Sequence, residues 1–171
     1  MTSPSIVRIA GPDEYESVWN LMLMSYEENA VFPLDEPKAR WYLRRAICPH
    51  EIAPMDTGVR GVVGVIGGKD RLEGLCFLTI GAFWYSSALH LEEFMVFVHP
   101  DHRKSDHAKA FINWMKQQVA ETGLPLMTGV FSLKRTEAKC RLYQRMLPKL
   151  GEFFFYKPDM VSSSALVATS S

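Results

Sequence analysis

The sequence carries no excess of either charge, since 19 Lys and Arg residues balance 19 Asp and Glu residues and the formal net charge is zero. A neutral chain argues against a protein that holds nucleic acid through a global basic field. Cysteine is also scarce. Three widely spaced residues, Cys48, Cys76 and Cys140, support neither a disulfide framework nor a CxxC metal site. We therefore expect a cytoplasmic protein with reduced thiols.

No basic start followed by an apolar run is visible near Met1, so no secretory signal is expected. A stretch without Asp, Glu, Lys or Arg runs from Gly74 to Leu91 and raises the question of a membrane helix. It contains two glycines and two serines and is rich in aromatic residues, so it predicts two buried strands around a turn. Neither a membrane nor a nucleic acid is an expected partner.

With 171 residues and 47% hydrophobic residues, the chain has the size and composition of one globular domain. Apolar periodicities predict the element order β-α-α-β-β-β-α-β-α-β. A meander followed by a strand-helix-strand crossover predicts an α/β fold, with a mixed, mostly antiparallel twisted sheet and helices on both faces. We expect this single domain over residues 1–160, and an edge strand or disordered tail over residues 161–171.

The element bounds follow from the same patterns. One helix begins near Pro12 and carries an apolar stripe from Tyr15 to Tyr26, and Gly123 is the expected residue after the third helix. The other predicted helices are Glu36–Ile47, Ser105–Thr122 and Thr136–Leu147. The predicted strands are Ser5–Ile9, Val59–Ile66, Leu72–Tyr85, His90–Val98, Leu124–Ser132 and Glu152–Tyr156.

The most informative segment is LEEFMVFVHPDHRKSDHAKA, from Leu91 to Ala110, where a buried strand meets a polar turn and a helix. A helix N-terminus with free N–H groups beside Arg103 and Lys104 is suited to bind a phosphate or pyrophosphate. The alternative is a strand-to-helix turn that merely carries exposed bases. Histidines and aspartates alternate here, but they match no recognised ligand spacing, so no metal site is expected. These residues are His99, Asp101, His102, Asp106 and His107.

Two motifs carry a family resemblance. The run VHPDHRKSDHAKAF from Val98 resembles the acetyl-CoA-binding motif of the GNAT superfamily of N-acetyltransferases, V-x-P followed by Arg or Gln-x-x-Gly-x-Gly or Ala. The helix TEAKCRLYQRML resembles the N-x-x-A-x-x-L-Y helix of that family, with Thr136 at the Asn position and Tyr143 at the Tyr position. The element order is similar as well, so the resemblance covers Ile6 to about Tyr156 and implies an acyl-CoA N-acyltransferase fold.

The resemblance implies an N-acetyltransferase that moves an acetyl or similar short acyl group from acetyl-CoA to an amine by direct attack. Tyr143 would protonate the departing thiolate as general acid. Glu92 shares strand parity with Val96 and would accept a proton from the amine, with Glu93 on the opposite face as the alternative. A main-chain N–H near Val96 would polarise the acyl carbonyl. The implied cofactor-binding residues are Met95, Val96, Phe97, Val98, Arg103, Lys104, Ser105, Asp106, His107, Ala108 and Thr136.

The motif match has three departures: Asp106 stands where the family has the first Gly of its loop, Lys139 replaces the Ala, and a longer stretch, QRMLPKLG, follows Tyr143 before the next Gly. An Asp beside a pyrophosphate adds repulsion, although it is also a good helix N-cap. Two other functions therefore stay open. One is a degenerate CoA-binding or non-catalytic domain, and the other is a protein-interaction module that uses the aromatic strands and the acidic segment Glu27–Glu36.

The acceptor is expected to be an amine on a small molecule or a protein, and a homodimer stays open. Residues 1–37 hold one base and seven acids, whereas residues 99–145 hold nine bases and four acids. If each half keeps its charge in the fold, the basic half would meet the anionic cofactor and the acidic half would meet a cationic amine.

Overall fold

A computed structural model describes residues 6–48 and 61–151 of the chain. Short 3-10 turns at Pro12–Glu14 and Pro100–His102 precede α1 and α3. The strands are β1 (Arg8–Ile9), β2 (Gly61–Gly68), β3 (Arg71–Ala82), β4 (Leu89–Val98) and β5 (Leu126–Met127). The α-helices are α1 (Tyr15–Asn29), α2 (Glu36–Ile47), α3 (His107–Thr122) and α4 (Thr136–Met146).

The five strands form one sheet in the order β1-β2-β3-β4-β5. The first four strands are antiparallel to their neighbours, whereas β5 runs parallel to β4 after the crossover through α3. The predicted fold class, a mixed and mostly antiparallel sheet with helices on both faces, is therefore confirmed. The prolines, the glycine and the charges of residues 48–58 predict a connection, and all of it after Cys48 lies outside the described residues. The strand Glu152–Tyr156 and the tail 161–171 also lie outside them.

Side-chain alternation along the strands divides the core into two layers. On one face, α1 and α2 place Val18, Trp19 and Leu43 against Leu75 and Phe77 of β3. The other face is covered by α3, with α4 beside it. The buried residues of the core layer on this face are Ile66, Cys76, Leu78, Phe111, Ile112, Trp114 and Met115. The sheet is thus buried on both sides.

Local chemistry accounts for most helix ends. Asp35 accepts a hydrogen bond from the Lys38 backbone N–H at 3.0 Å and caps α2, whose bounds agree with the prediction. Gly123 ends α3 in the left-handed region at φ 71°, as predicted. The helix begins two residues later than expected, because Ser105 accepts from the N–H of His107 and donates to the His102 carbonyl. The turn thereby extends to Asp106.

The segment without charges folds as predicted into parts of two strands, β3 and β4, joined by a hairpin. No α-helix within residues 6–48 or 61–151 is long and apolar enough to cross a membrane. The expected strand Leu124–Ser132 is wrong in length, since only Leu126–Met127 pairs with β4. The chain after Met127 leaves the sheet and lines a cleft.

The core on the α3 face makes a testable prediction. Phe111 is fully buried, and replacing it with Ala leaves a cavity that the surrounding side chains fill only in part. Phe111→Ala should lower the free energy of unfolding by about 3–5 kcal/mol in urea denaturation. Leu133→Ala, at a 65% exposed position, should change it by less than about 0.5 kcal/mol. Equal losses in the two variants would contradict this assignment of the core.

Candidate functional site

The candidate site is a cleft at the edge where β4 and β5 part. The two strands pair at Leu91 with Leu126 and at Glu92 with Met127. Beyond these pairs, Met95–Val98 and Thr128–Ser132 line opposite sides of a cleft with a volume of about 680 Å³. The end of α1 and one side of α4 complete the walls. The gap therefore offers a sheet edge to an extended ligand.

A β-bulge in β4 decides which side chains point into this cleft. Phe77 is opposite Met95, but the next residue of β3, Leu78, is opposite Glu93, so Phe94 is the extra residue of the bulge. Phe94 packs on Phe77 at 5.4 Å between ring centroids, on the same face as Met95. The alternation is therefore shifted by one residue before the bulge.

The expectation from strand parity, which placed Glu92 on the face of Val96, does not hold across this bulge. Glu93 now lies on the face of Val96 and of Leu78, its partner in β3. Glu92 is opposite Thr79 and exposed, although it still borders the cleft. The structure thus gives Glu93, the alternative base, a hydrogen-bond partner on α4.

That partner is Tyr143 of α4. Its hydroxyl donates to the Glu93 carboxylate, with O–O distances of 3.0 Å to Oε1 and 2.9 Å to Oε2. The hydroxyl of Thr128, directly after β5, donates to the same carboxylate. Three elements therefore fix one carboxylate and one phenol at the point where the strands separate.

The surroundings shift the proton affinities of this pair. Desolvation raises the pKa of Glu93 to about 7, although the hydrogen bonds from Thr128 and Tyr143 oppose the shift. Burial, and then the charge of Glu93, raise the pKa of Tyr143 well above its ordinary value. Near neutral pH the carboxyl can therefore both accept and give a proton, while the phenol stays protonated.

At the other end of the cleft, the turn after β4 supplies a cation. The Arg103 guanidinium pairs with Glu28 at the end of α1, and its Nε donates to the Val98 carbonyl at 3.4 Å. Its Cζ lies 5.7 Å from the centroid of the Phe97 ring. Arg103 is therefore held by two contacts with β4 and one with α1, with its charge at the cleft.

Asp106, the main departure from the family motif, is not among the residues that line the cleft. Its carboxylate accepts from Lys109 Nζ at 2.9 Å, and the side chain is 69% exposed. It makes no capping hydrogen bond with α3. The expected repulsion is therefore reduced, because a neighbouring cation offsets this carboxylate and the residue does not line the cleft.

Lys139, the second departure, enters the cleft from α4. Its Nζ donates to Ser132 Oγ at 2.7 Å and to Asn29 Oδ1 at 3.2 Å. Desolvation is the largest cause that lowers the pKa of Lys139, and the charge of Glu28 opposes it. The lysine therefore links α1 with α4 across the middle of the cleft.

Most of the predicted cofactor-binding residues line the cleft, but some lie outside it. Thr136 donates to the Ser132 carbonyl at 2.6 Å, and His107 contacts Glu73. Seven of the predicted residues line the cleft, namely Met95, Val96, Phe97, Val98, Arg103, Ser105 and Ala108, whereas Lys104, Asp106, His107 and Thr136 do not. Sequence reasoning missed several lining residues that no motif marks: Glu28, Asn29, Thr128, Ser132 and Arg145.

The expected division of charge between two halves does not survive folding on the acidic side. Glu16 and Glu36 both contact Arg40, at 3.0 and 2.8 Å, and Glu14 contacts Arg8 at 2.6 Å. Of the seven N-terminal acids, Glu28 lines the cleft. The basic side is retained, since five cations border the cleft: Arg103, Lys109, Arg135, Lys139 and Arg145.

Neither a protein-family model nor a curated protein sequence matches the chain. Solved structures match over nearly the whole chain. AAC(6')-Iy in complex with the bisubstrate analogue CoA-S-monomethyl-acetylneamine is 16% identical at a TM-score of 0.61, covering 91% of this chain and 98% of that one. Ribosomal-protein-alanine N-acetyltransferase from Brucella melitensis biovar Abortus 2308 is 14% identical at a TM-score of 0.62, covering 90% and 98%.

An aminoglycoside acetyltransferase from an uncultured soil metagenomic sample is 15% identical at a TM-score of 0.61, and the match covers 91% of this chain and 99% of that one. At such identities these likenesses establish the fold. The chain has the GNAT fold of acyl-CoA N-acyltransferases, as the two motifs predicted.

Proposed function

We propose that this protein transfers an acetyl or similar short acyl group from acyl-CoA to an amine acceptor by direct attack. The observation that carries the proposal is the cleft between the parted strands, with the Glu93–Tyr143 pair at one end and Arg103 at the other. The complex of AAC(6')-Iy with a CoA bisubstrate analogue, on the same fold, supports acetyl-CoA as the co-substrate here.

The chemistry of the cleft fits CoA. Met95–Val98 present strand backbone to an extended pantetheine, as an edge strand does to a peptide. Arg103 and Lys109, beside the N-terminus of α3, suit an anionic pyrophosphate. Asp106 pairs with Lys109 and does not line the cleft, so the repulsion that favoured the degenerate alternative is reduced. Bound acetyl-CoA supplies a thioester carbonyl activated for attack.

When a neutral amine attacks the thioester, the C–N bond forms and the C–S bond breaks. One proton must then move from the nitrogen to the sulfur. Glu93 takes the proton from nitrogen, and Tyr143 gives its hydroxyl proton to sulfur. Glu93 then returns a proton to the phenolate oxygen across their hydrogen bond of 2.9 Å. The relay also overcomes the weak acidity of a phenol with a raised pKa, since the neighbouring carboxyl reprotonates it during the transfer.

The acceptor is an amine, and the solved neighbours include acetyltransferases named for aminoglycosides and for a ribosomal protein. Glu92 and Glu93 both border the cleft at its acyl end, where a carboxylate attracts an ammonium group before the amine loses its proton. The three cysteines are free thiols, which suits a reducing compartment. We propose the cytoplasm as the site of the reaction.

The proposal is tested by two measurements on the purified chain. Saturating acetyl-CoA should raise the melting temperature by several degrees, since a ligand that binds only the folded state stabilises it. A panel of small and peptide amines should then be screened for free-thiol release from acetyl-CoA. No stabilisation by acetyl-CoA would contradict both CoA binding and the enzyme assignment. Stabilisation without thiol release for any amine would favour the non-catalytic domain.

Arg103 provides a prediction about cofactor affinity. Arg103→Gln removes a charge-assisted contact to the phosphates, so the Kd for acetyl-CoA should rise about 10- to 100-fold in calorimetric titration. Glu28→Gln breaks the same ion pair but keeps the cation, and it removes an anion from the cleft. That control should bind acetyl-CoA at least as tightly as the parent chain. Weaker binding in both variants would show that the ion pair, and not the cation, matters.

A further inference from the structure

A second cluster of polar side chains lies outside the cleft, under the turn that follows β4. Glu73 Oε2 is 2.7 Å from His107 Nε2 and 3.3 Å from His102 Nδ1. The three ligand atoms all lie within 4.8 Å of one another. The imidazole rings of His102 and His107 stack with 5.8 Å between centroids. None of the three residues lines the cleft.

Each of these side chains stands on a fixed element. Glu73 is in β3, where the His99 N–H donates to its carbonyl at 2.8 Å and ties the turn to the sheet. His102 ends the 3-10 turn, and its carbonyl accepts from the N–H and the hydroxyl of Ser105. His107 is the first residue of α3 and is buried. The ligand atoms therefore converge without depending on long, mobile side chains.

The set of donors and its spacing fit one class of ligand. Two imidazoles and one carboxylate are a common set of three protein ligands for Zn²⁺, with a fourth position left for water. Tetrahedral ligands at ordinary zinc distances lie about 3.3 Å apart. Glu73 Oε2 and His102 Nδ1 already have this separation. The distance between Glu73 Oε2 and His107 Nε2 must increase by about 0.6 Å. Bringing three such groups together is chemically useful when a cation lies between them.

We propose that Glu73, His102 and His107 bind one divalent transition-metal ion, with Zn²⁺ as the preferred ion. The bound ion cross-links β3, the turn and the start of α3, and thereby fixes the turn that carries Arg103 to the cleft. No metal site was expected from the spacing of His99, His102 and His107. The third proposed ligand, Glu73, lies in a strand 29 residues before His102.

The test uses the full chain, freed of any purification tag and dialysed against a chelator. Titration with Zn²⁺ should show one ion per chain, and excess Zn²⁺ should raise the melting temperature by roughly 5–10 °C, reversed by the chelator. Co²⁺ in place of Zn²⁺ should give the visible absorption of a tetrahedral site. His102→Asn should weaken Zn²⁺ binding by at least about 100-fold, because losing even an outer partner of a metal ligand costs 10- to 100-fold.

His99→Asn is the matched control, since His99 lies in the same turn but its Nδ1 accepts from the Asp101 N–H. It should keep full affinity for Zn²⁺. Glu73→Gln, at a half-buried position, provides a second variant if the histidine change disturbs folding, and it should weaken binding as well. The proposal is overturned if the parent chain binds no stoichiometric Zn²⁺. Equal affinity in His102→Asn and the parent chain, or equal losses in His99→Asn and His102→Asn, would overturn it too.

Discussion

Tyr143→Phe should lower kcat for acyl transfer by about 10²- to 10⁴-fold and leave the KM for acetyl-CoA within about threefold, as expected for loss of a general acid. The substitution removes the hydroxyl and keeps the ring in its place on α4 beside α3. Stopped assays of free-thiol release under saturating amine give kcat directly. The shift in melting temperature caused by acetyl-CoA should persist, since the hydroxyl contacts Glu93 and not the turn around Arg103.

The pH profile of Tyr143→Phe provides a second measurement. It should be unchanged if the Tyr143 hydroxyl has only a structural role. The hydrogen bond from Tyr143 lowers the pKa of Glu93, so its removal should shift the remaining pH profile to higher pH. Tyr85→Phe, at a 69% exposed position in the β3–β4 hairpin, is the matched control and should behave as the parent chain. A Tyr143→Phe variant with parental kcat would remove Tyr143 from the proposed mechanism.

Glu93→Gln should lower kcat by about 10²- to 10⁴-fold and abolish the rise of kcat with pH. In the parent chain the ionised carboxylate accepts the proton, and its pKa is raised to about 7, so kcat should increase as the pH rises through about 7. Measuring kcat from pH 5.5 to 9 with one amine at saturation gives this profile. The amide of Gln still accepts from Tyr143, so the packing of the pair is kept while the proton acceptor is lost.

The matched control is Glu92→Gln, which removes a carboxylate from the neighbouring residue. Glu92 is opposite Thr79 and exposed, so this variant should retain the inflection near pH 7 and most of kcat, while the KM for the amine rises because one carboxylate that attracts the ammonium group is lost. The pair of variants separates two assignments of the base. If Glu92→Gln loses the inflection and Glu93→Gln keeps it, strand parity rather than the bulge identifies the base.

Stability should move in the opposite direction from activity. A carboxyl whose pKa rises from 4.5 to about 7 on folding favours the neutral form, so its stabilising contribution is present below pH 4.5. That contribution is lost as the pH rises through about 7. At pH 8, therefore, Glu93→Gln should unfold at the same or a higher temperature than the parent chain, and the difference should shrink toward pH 5. A large loss of stability at pH 8 would indicate that the charged form is the stabilising one.

Much of the architecture was readable from local patterns because those patterns have local causes. The bounds of α2 followed from a 3.6-residue apolar stripe, and the end of α3 followed from Gly123. The motif from Val98 placed the cation Arg103 at the start of the crossover, where the structure has it. Each of these features depends on residues within one or two turns of one another.

The end of the cleft that holds Glu93 and Tyr143 could not be predicted in the same way. The base was expected at Glu92 because strict alternation was carried from Val96 through a strand that contains a bulge at Phe94. Whether a strand bulges depends on its register with β3, and no local feature of β4 reports it. The short length of β5 could not be predicted from local patterns either. Leu124–Ser132 has strand composition along its whole length, but only two of its residues pair with β4.

The sequence by itself determined the class of fold, the element order as far as α4 and the turn that carries Arg103 to the cleft, because periodicity, caps and short motifs are properties of neighbouring residues. The tertiary structure alone decided which carboxylate faces Tyr143, that Lys139 reaches Asn29 across the cleft, and that Glu73 joins His102 and His107. These are contacts between residues up to 110 positions apart. Their geometry depends on the packing of whole elements, and packing fixes distances that no spacing along the chain contains.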